Sequence, residues 1–473
     1  MTKRIAILGG GIAGLSAAWQ LAGHARAGAD LDATLFEASP RLGGIVETVH
    51  TEGFTIECGP DAWVSEKPWA RQLALELGLE HELLPSDDST RKTHILLDGR
   101  LETMPDGMRM MVPTHLDLVD SSPLFSPEAK QAYRDELPRA AQLKAFAQQA
   151  ASAPDHDESI ATFTRRHFGE EVLTRIAAPL LSGVLGGDVE QLSVRAVMPQ
   201  FVAMEREHGS LIAALQSAEH TRAARSRAPT PIFTTLRSGL NTLIDRLSAA
   251  IPAPWLRPST PVTAISRSPQ GWTVHTRTSQ PFDAVLLATP AHITRTLLHP
   301  LDPTAAGLLP TQATSAVIVA FGYPHAPDLS LPPGFGFLVP PSPSIDPQLL
   351  ACTFVDQKFP HRVPAGGRLL RAFFGGAVAD RLLNTPDDHI AALARHELHR
   401  ILGPLPTPAV TVVRRWPESL PQYAVGHLAR ISALDARVAH LPGLILLGNA
   451  LRGVGLPDLI RDARHAAHTL ARA

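Results

Sequence analysis

The feature that most constrains the fold of this chain is a run of glycines directly after its first apolar segment. The sequence reads RIAIL at residues 4–8 and GGGIAGLSAAWQL at residues 9–21. The apolar run predicts a buried parallel strand, and the spacing of alanine, leucine and tryptophan after it predicts a helix. Between them Gly9, Gly11 and Gly14 form G-x-G-x-x-G. Glycine there permits a tight turn, lets backbone N–H groups approach a pyrophosphate, and lets the helix pack closely on the strand.

An acidic residue follows at the distance that a dinucleotide site requires. The segment DATLFEA at residues 32–38 predicts the next strand, and Glu37 lies 23 residues beyond Gly14. A carboxylate at this place accepts hydrogen bonds from a ribose hydroxyl. Strand, glycine turn, helix and acid together predict a dinucleotide-binding unit rather than a glycine-rich turn without a ligand.

Two further segments favour FAD over a nicotinamide cofactor. RLGG at residues 41–44 and FTIECGPD at residues 54–61 supply a second set of glycine turns, which the longer FAD needs along its pyrophosphate and ribityl chain. The sequence has no second complete G-x-G-x-x-G, which disfavours a separate NAD(P)H domain. Near the end of the chain an apolar strand at residues 444–447 leads through a glycine-bearing loop into a helix from about Pro457. The N-terminus of that helix would direct partial positive charge at the flavin.

Composition excludes several other classes of protein. A length of 473 residues predicts two or three domains. A net charge of -2 gives no basic surface for nucleic acid, and two cysteines provide neither a disulfide framework nor a cysteine zinc site. HELH at residues 396–399 lacks the H-E-x-x-H spacing, so no metal site is predicted. The absence of a signal-peptide pattern and of a long apolar run predicts a cytoplasmic protein that is not integral to a membrane.

The remaining pattern predicts an α/β chain, α+β overall, with a discontinuous cofactor domain. Asp98-Gly99 between apolar runs predicts a hairpin, residues 127–218 read as helical, and residues 311–440 predict an antiparallel sheet with one long helix. The expected architecture is a two-dinucleotide-binding FAD domain, an antiparallel-sheet substrate domain and a helical insertion. The predicted boundaries are 1–51, 231–300 and 440–473 for the FAD domain, 52–95, 196–230 and 301–439 for the substrate domain, and 96–195 for the insertion.

Several longer segments resemble one family of flavoproteins. They are GPDAWVSEKP (59–68), MPDG with the following VPT and LFS (104–126), the run from PLLSGVLGG to GSLI (179–212), WPESLPQYAVGH (416–427) and RGVGLPDLI (452–460). In this order they resemble the FAD-dependent protoporphyrinogen and coproporphyrinogen III oxidases of haem biosynthesis, within the amine oxidase-like flavoproteins. The resemblance implies six-electron oxidation of a porphyrinogen to a porphyrin, with O2 as electron acceptor. An amine oxidase or a carotenoid desaturase is the alternative.

The resemblance also implies the residues of the site. Those that match FAD contacts are Gly9, Gly10, Gly11, Ile12, Ala13, Gly14, Glu37, Ala38, Arg41, Gly43, Gly44, Gly59, Pro60, Asp61, Ala62, Val262, Trp416, Gln422, Val454, Gly455 and Leu456. Because the flavin carries the chemistry, no acid–base pair is required, and Asp61 is a weak candidate for a base or caps a turn. GPDAW departs from family members that carry an arginine after the proline, where it can meet a propionate. Lys67 and Arg109 are the replacement candidates for binding substrate.

The substrate and the partners are the least defined expectations. Protoporphyrinogen IX, with two propionates, and coproporphyrinogen III, with four, both stay open, with a slight preference for the first. The resemblance further implies a homodimer, hand-off of product to ferrochelatase, and peripheral contact of the insertion with the inner face of the cell membrane. Four of the seven methionines lie in residues 104–111, which suits an adaptable apolar surface.

Overall fold

The computed structural model describes residues 2–151, 156–224, 231–326, 329–341 and 349–472. Its strands, in chain order, are β1 (Lys3–Leu8), β2 (Leu31–Phe36), β3 (Thr48–Thr51), β4 (Phe54–Glu57), β5 (Trp63–Val64), β6 (Leu83–Pro85), β7 (Thr93–Leu97), β8 (Arg100–Thr103), β9 (Met108–Arg109), β10 (Val112–Pro113), β11 (Phe233–Leu236), β12 (Leu256–Arg257), β13 (Ala264–Ser268), β14 (Gly271–His275), β15 (Ser279–Phe282), β16 (Ala284–Leu287), β17 (Ala313–Tyr323), β18 (Gly336–Leu338), β19 (Ala351–Phe354), β20 (Arg368–Gly375), β21 (Val410–Pro421) and β22 (Leu444–Leu446). Its α-helices are α1 (Ile12–Arg26), α2 (Trp69–Glu76), α3 (Leu116–Ser121), α4 (Pro127–Glu136), α5 (Ala140–Ala151), α6 (Ile160–Val172), α7 (Ala178–Leu185), α8 (Val194–Val197), α9 (Pro199–His208), α10 (Leu211–Ala224), α11 (Asn241–Ala250), α12 (Ala291–Leu298), α13 (Pro303–Leu308), α14 (Val355–Lys358), α15 (Gly376–Leu382), α16 (Asp387–Leu402), α17 (His427–Val438) and α18 (Leu456–Arg472).

A parallel five-stranded sheet forms the first layer, in the order β12-β2-β1-β16-β22. Each neighbouring pair in it is parallel, and β1 lies at the centre with its last four residues buried. The residues of β1 are apolar because both faces of this parallel strand are covered, as the sequence predicted. The strands come from three separated parts of the chain, and the predicted α/β cofactor fold is confirmed.

Two helices from opposite ends of the chain cover one face of this sheet. On α18 the buried residues Leu456, Ile460, Ala463 and Ala467 recur every three or four positions, and they share one apolar core with α1. This spacing gives the helix one apolar stripe. The other face of the sheet packs against the antiparallel β13-β14-β15 sheet, whose Trp272 is 1% exposed.

A seven-stranded sheet forms a second unit, in the order β21-β17-β20-β19-β18-β7-β8. The strands from residues 311–440 pair antiparallel, as predicted, and a parallel pair joins β18 to β7, which lies outside that range. The hairpin β7–β8 causes this exception, since it enters the sheet as a unit from a distant part of the chain. Its turn is the predicted one, with positive φ at Asp98 (47°) and Gly99 (79°). The predicted boundary at residue 96 falls inside β7.

The third unit is a cluster of helices from α3 to α10. Ser126 accepts a hydrogen bond from the backbone N–H of Ala129 and caps α4, with Pro127 in its first turn. Residues 199–224, which lie within the segment 196–230 that the sequence assigned to the substrate domain, form α9 and α10 and contribute to the core of this cluster. The domain boundaries as a whole stay a prediction.

The methionine-rich segment packs against the same helices. Met111 is fully buried, and Met104, Met108 and Met110 are partly buried against the apolar core of the cluster. These thioethers therefore fill space inside the fold. Across the part of the chain that the structure describes, the helices are too short or too polar for any of them to cross a membrane.

The packing of α18 on α1 yields a stability prediction. Replacing Ile460, which is 0% exposed, with alanine removes buried methyl groups and leaves a cavity, which costs about 2–5 kcal/mol of the free energy of unfolding. Urea unfolding of the FAD-supplemented protein measures the change. The control is His465→Ala at an exposed position of the same helix, expected within about 0.5 kcal/mol of the parent. Equal effects of the two substitutions would contradict this account of the α1–α18 core.

Candidate active site

The glycine turn lies at the carboxyl end of β1 and is fixed by backbone contacts. A Cβ on Gly14 would lie 1.9 Å from the carbonyl oxygen of Gly9, so only glycine allows α1 to start so close to the strand. A Cβ on Gly11 would meet nothing within 4 Å, which leaves open space beside the turn. No side chain caps the N-terminus of α1, so its first N–H groups can bind an anion. The turn therefore fits a pyrophosphate.

Glu37 lies beside this turn at the end of β2. Its carboxylate accepts hydrogen bonds from the backbone N–H groups of Gly10 (2.7 Å) and Ser39 (2.8 Å). These two bonds orient the carboxylate and leave lone pairs for the hydroxyls of a ribose. The backbone oxygen of Glu37 accepts from Thr260 at 2.8 Å, which brings the segment before Val262 to the same edge. Ala38 is exposed there.

The second glycine segment, residues 41–46, lies against the first. The N–H of Gly43 donates to the carbonyl of Gly10 at 2.8 Å, and Gly44 lies next to Gly11. The guanidinium of Arg41 donates to the carbonyl oxygens of Val46 (2.8 Å), Leu42 and Gly44. The side chain of Arg41 therefore fixes the conformation of the loop by bonding to the loop's backbone carbonyl groups.

The third segment, residues 58–62, is joined to the second by another close approach. A Cβ on Gly59 would lie 1.9 Å from the carbonyl oxygen of Ile45, which again only glycine permits. The indole N–H of Trp416, on β21, donates to the carbonyl of Cys58 at 2.6 Å. The seven-stranded sheet is therefore bonded directly to the glycine segments.

The end of β21 contacts the loop that precedes α18. The hydroxyl of Tyr423 donates to the carbonyl of Asn449 (2.6 Å) and accepts from the N–H of Gly453 (2.9 Å). Gln422 donates to the hydroxyl of Thr314 at 3.2 Å, and its side chain lies against Gly187. Val454 and Gly455 then lead into α18 at Leu456. The helix begins one residue before the predicted position.

Asp61 has a different environment from the ones that the sequence suggested. Its carboxylate accepts hydrogen bonds from the ammonium of Lys358 at 2.9 and 3.1 Å and lies 3.5 Å from the guanidinium of Arg371. Burial would raise the pKa of Asp61, but Lys358, Arg371 and Arg362 together lower it well below the usual value. A carboxylate that binds a proton this weakly is a poor general base. Among the described residues its carboxylate meets side chains, whereas a turn cap would accept a hydrogen bond from a backbone N–H.

The two candidates for binding a propionate lie in different places. Lys67 forms an ion pair of 2.5 Å with Asp458 in the first turn of α18, so it is close to the glycine segments but already paired. Arg109 is exposed on β9, whose neighbouring methionines pack against the helical cluster. No contact among the described residues joins Arg109 to the glycine segments. Binding of substrate by either residue stays a prediction.

Sequence reasoning missed the buried charges behind residues 57–61. Glu57 and Arg362 form an ion pair of 3.1 Å with side chains 0% exposed, and Arg371 donates to the carbonyl of Gly59 at 2.5 Å. A signal was present, because Arg371 interrupts the apolar strand RLLRAFFG and a buried charge in a strand requires a partner. Its partners lie some 300 residues away, where no local pattern leads.

The structure therefore gathers residues from the start, the middle and the end of the chain at one edge of the parallel sheet. Of the predicted contacts, the glycine turn, Glu37, the 41–46 loop, residues 59–62, Trp416, Gln422 and residues 454–456 are linked through the bonds described above. Their chemistry fits FAD: helix N–H groups for the pyrophosphate, a carboxylate for the ribose, and a further helix N-terminus at the far end. Direct contact of each residue with FAD stays a prediction.

Comparison with known proteins identifies similar chains. Residues 12–471 match the family described as flavin containing amine oxidoreductase. The coproporphyrinogen III oxidase of Bacillus subtilis (strain 168) is 34% identical over 475 residues, covering 98% of this chain and 97% of that protein. The chloroplastic protoporphyrinogen oxidase of Nicotiana tabacum is 28% identical and covers 98% and 84%. A crystal structure of a proposed protoporphyrinogen oxidase from Exiguobacterium sp. 255-15 superimposes with a TM-score of 0.84 at 33% identity, covering 100% and 99%.

Two glycines of α1 give a matched test of the turn. Gly14→Ala places a methyl group 1.9 Å from a backbone oxygen, so the turn must open, and the Kd for FAD is expected to rise at least about tenfold, or 1.4 kcal/mol. Gly23→Ala meets open space on the same helix, so FAD affinity should be unchanged and stability should rise by up to about 1 kcal/mol. Titration of apoprotein with FAD, followed by flavin fluorescence, measures both. Unchanged FAD affinity in Gly14→Ala would contradict the role of the turn.

Proposed function

The chain belongs to the family of flavin-containing amine oxidoreductases, and on that premise we propose that it oxidises coproporphyrinogen III to coproporphyrin III. It is an oxidoreductase with FAD as its cofactor. The observation that carries the proposal is the convergence of glycine segments, β21 and the start of α18 on one site. Within this site, residues 59–68, 416–427 and 452–460 are the segments that resemble the porphyrinogen oxidases.

The choice of substrate follows the relatives rather than the slight preference drawn from the sequence. The Bacillus relative, named for coproporphyrinogen III, matches over nearly the full length of both chains at higher identity than the tobacco protein. Coproporphyrinogen III carries four propionates, so its pocket needs more cations than one for protoporphyrinogen IX. Lys67, with a side chain 44% exposed beside α18, is one group that could face such a carboxylate.

The stoichiometry follows from the electron count. Conversion of a porphyrinogen to a porphyrin removes six electrons and six protons, so three molecules of O2 accept them and leave as three molecules of H2O2. Bound FAD supplies the two-electron acceptor, and the protein orients the macrocycle and keeps water out. The chain's own residues would hold the cofactor: helix N–H groups at residues 12–14 would bind phosphate and Glu37 would bind ribose, while Trp416 fixes the carbonyl of Cys58.

An amine oxidase is disfavoured by the positions of the three tyrosines. Such enzymes use aromatic side chains as a cage for the amine, whereas Tyr133, Tyr323 and Tyr423 are all buried. Tyr133 donates its hydroxyl to the carbonyl of Met111 inside the helical cluster, and Tyr423 bonds to the loop before α18. Tyr323 lies in the apolar core of the seven-stranded sheet.

Turnover of both porphyrinogens by one preparation tests the proposal. Anaerobic mixing with coproporphyrinogen III should bleach the flavin absorbance, and aeration should then yield porphyrin fluorescence and three H2O2 per porphyrin. We expect kcat/KM for coproporphyrinogen III to exceed that for protoporphyrinogen IX at least about tenfold, and to fall more steeply with salt because more ion pairs are screened.

Each alternative outcome has a distinct meaning. Preference for protoporphyrinogen IX would overturn the substrate and retain the reaction class. Bleaching by an amine but by neither porphyrinogen would overturn the reaction class. Homodimer formation, contact with a membrane surface and hand-off to ferrochelatase remain predictions that these measurements do not address.

A further inference from the structure

A buried group of charges surrounds the segment of residues 57–61 and includes its two carboxylates, and we refer to this group as the cationic cluster. It consists of Lys358, Arg362 and Arg371 together with the carboxylates of Glu57 and Asp61. Lys358 is 8% exposed, Arg371 2% and Arg362 0%. Three cations therefore face two carboxylates where little water is present to screen them.

The guanidinium groups are incompletely neutralised by their neighbours. Arg362 donates to Glu57 and to the hydroxyl of Thr235 through one nitrogen, while its Nε and Nη1 bond to nothing among the described residues. The Nε of Arg371 is likewise without an acceptor in that part of the chain. Positive charge thus remains uncompensated inside the protein.

Aromatic rings border the cluster and do not cancel this charge. The ammonium of Lys358 lies 4.3 Å from the centre of the Phe233 ring, and the guanidinium of Arg362 lies 4.6 Å from that of Phe359. Aromatic faces attract cations but carry no net charge. In such a medium of low polarity, a charge acts over a longer distance than it does in water.

The cluster is bonded to the backbone of the candidate flavin site. Arg371 donates to the carbonyl of Gly59, and Arg362 donates to the carbonyl of Asp61 at 3.0 Å. Both bonds are made to the segment that lies against the 41–46 loop and that Trp416 holds at Cys58. The cluster therefore both positions this segment and places its charge next to it.

We propose that the cationic cluster of Lys358, Arg362 and Arg371 raises the reduction potential of the bound flavin while it positions residues 59–61. The inference rests on the proposed function, because it needs FAD in the site. Two-electron reduction adds negative charge to a flavin, and excess positive charge in a dry environment favours that change. These residues are positioning residues, since they act through the segment and through their field.

The test compares substitutions that remove charges of opposite sign. Lys358→Met and Arg371→Met should each lower the midpoint potential of the flavin, measured by dye equilibration on the holoprotein. Asp61→Asn should raise it, because it removes a carboxylate from the same cluster. The double variant Lys358→Met/Asp61→Asn should return close to the parent value.

Arg368 provides the matched control. It lies on the same strand as Arg371, three residues away and therefore on the opposite face, with a side chain 37% exposed and paired with Asp356. Arg368→Gln should leave the potential unchanged. Arg371→Lys, which keeps the charge but loses the planar fork, should keep most of the potential even where FAD binds less tightly.

The outcomes separate an electrostatic role from a merely structural one. Shifts of one sign in all the cluster variants, including Asp61→Asn, would indicate loosening of the site and overturn the proposal. Unchanged potentials in variants that still bind FAD would overturn it as well. Where Arg371→Met retains no flavin, Arg371→Lys and Asp61→Asn decide the question. A parent protein that binds no FAD would instead overturn the proposed function itself.

Discussion

The approach of Gly14 to the carbonyl oxygen of Gly9 is the contact on which the rest of the site depends. It seats α1 at the end of β1 and leaves open space beside Gly11. The 41–46 loop bonds to Gly10, Ile45 meets Gly59, and Cys58 receives the indole of Trp416. Each of these contacts involves backbone atoms, which do not adjust as side chains do.

The charges behind residues 57–61 follow a different physical rule. Buried ion pairs add little to stability, because desolvation of the ions offsets their attraction, whereas removal of one partner costs about 3–5 kcal/mol. The pair Glu57–Arg362 also binds the backbone N–H of Leu240 and the hydroxyl of Thr48, so it connects β3, β4 and α11. Beside this pair, Lys358 and Arg371, with a smaller contribution from Arg362, lower the pKa of Asp61, which disfavours a role for it as a general base. This agrees with a reaction in which a flavin, rather than a side chain, accepts hydrogen.

Local patterns explain which parts could be predicted from the sequence. Several features depend only on residues that are close together in the sequence. They are the strand–turn–helix at residues 4–21, Glu37, the Asp98-Gly99 hairpin and the start of α18. The parallel pairing of β18 with β7 and the contacts of Asp61 with Lys358 depend on segments more than 200 residues apart. Neither contact produces a periodic pattern in the sequence from which it could be predicted. Arg371 inside an apolar strand was the one visible sign, and it indicates burial of a charge without naming the partner.

The order of strands in the parallel sheet sets a limit on when the site can form. The central pair β1–β16 joins residues 5–8 to residues 284–287, and the edge strand β22 comes from residues 444–446. The loop that bonds to Tyr423 and the first turn of α18 follow β22 directly. Non-local pairing of this kind requires loop closure before its contacts contribute stability. The glycine turn can therefore form early from local residues, but the flavin site is complete only when the last thirty or so residues have docked on α1 and β16.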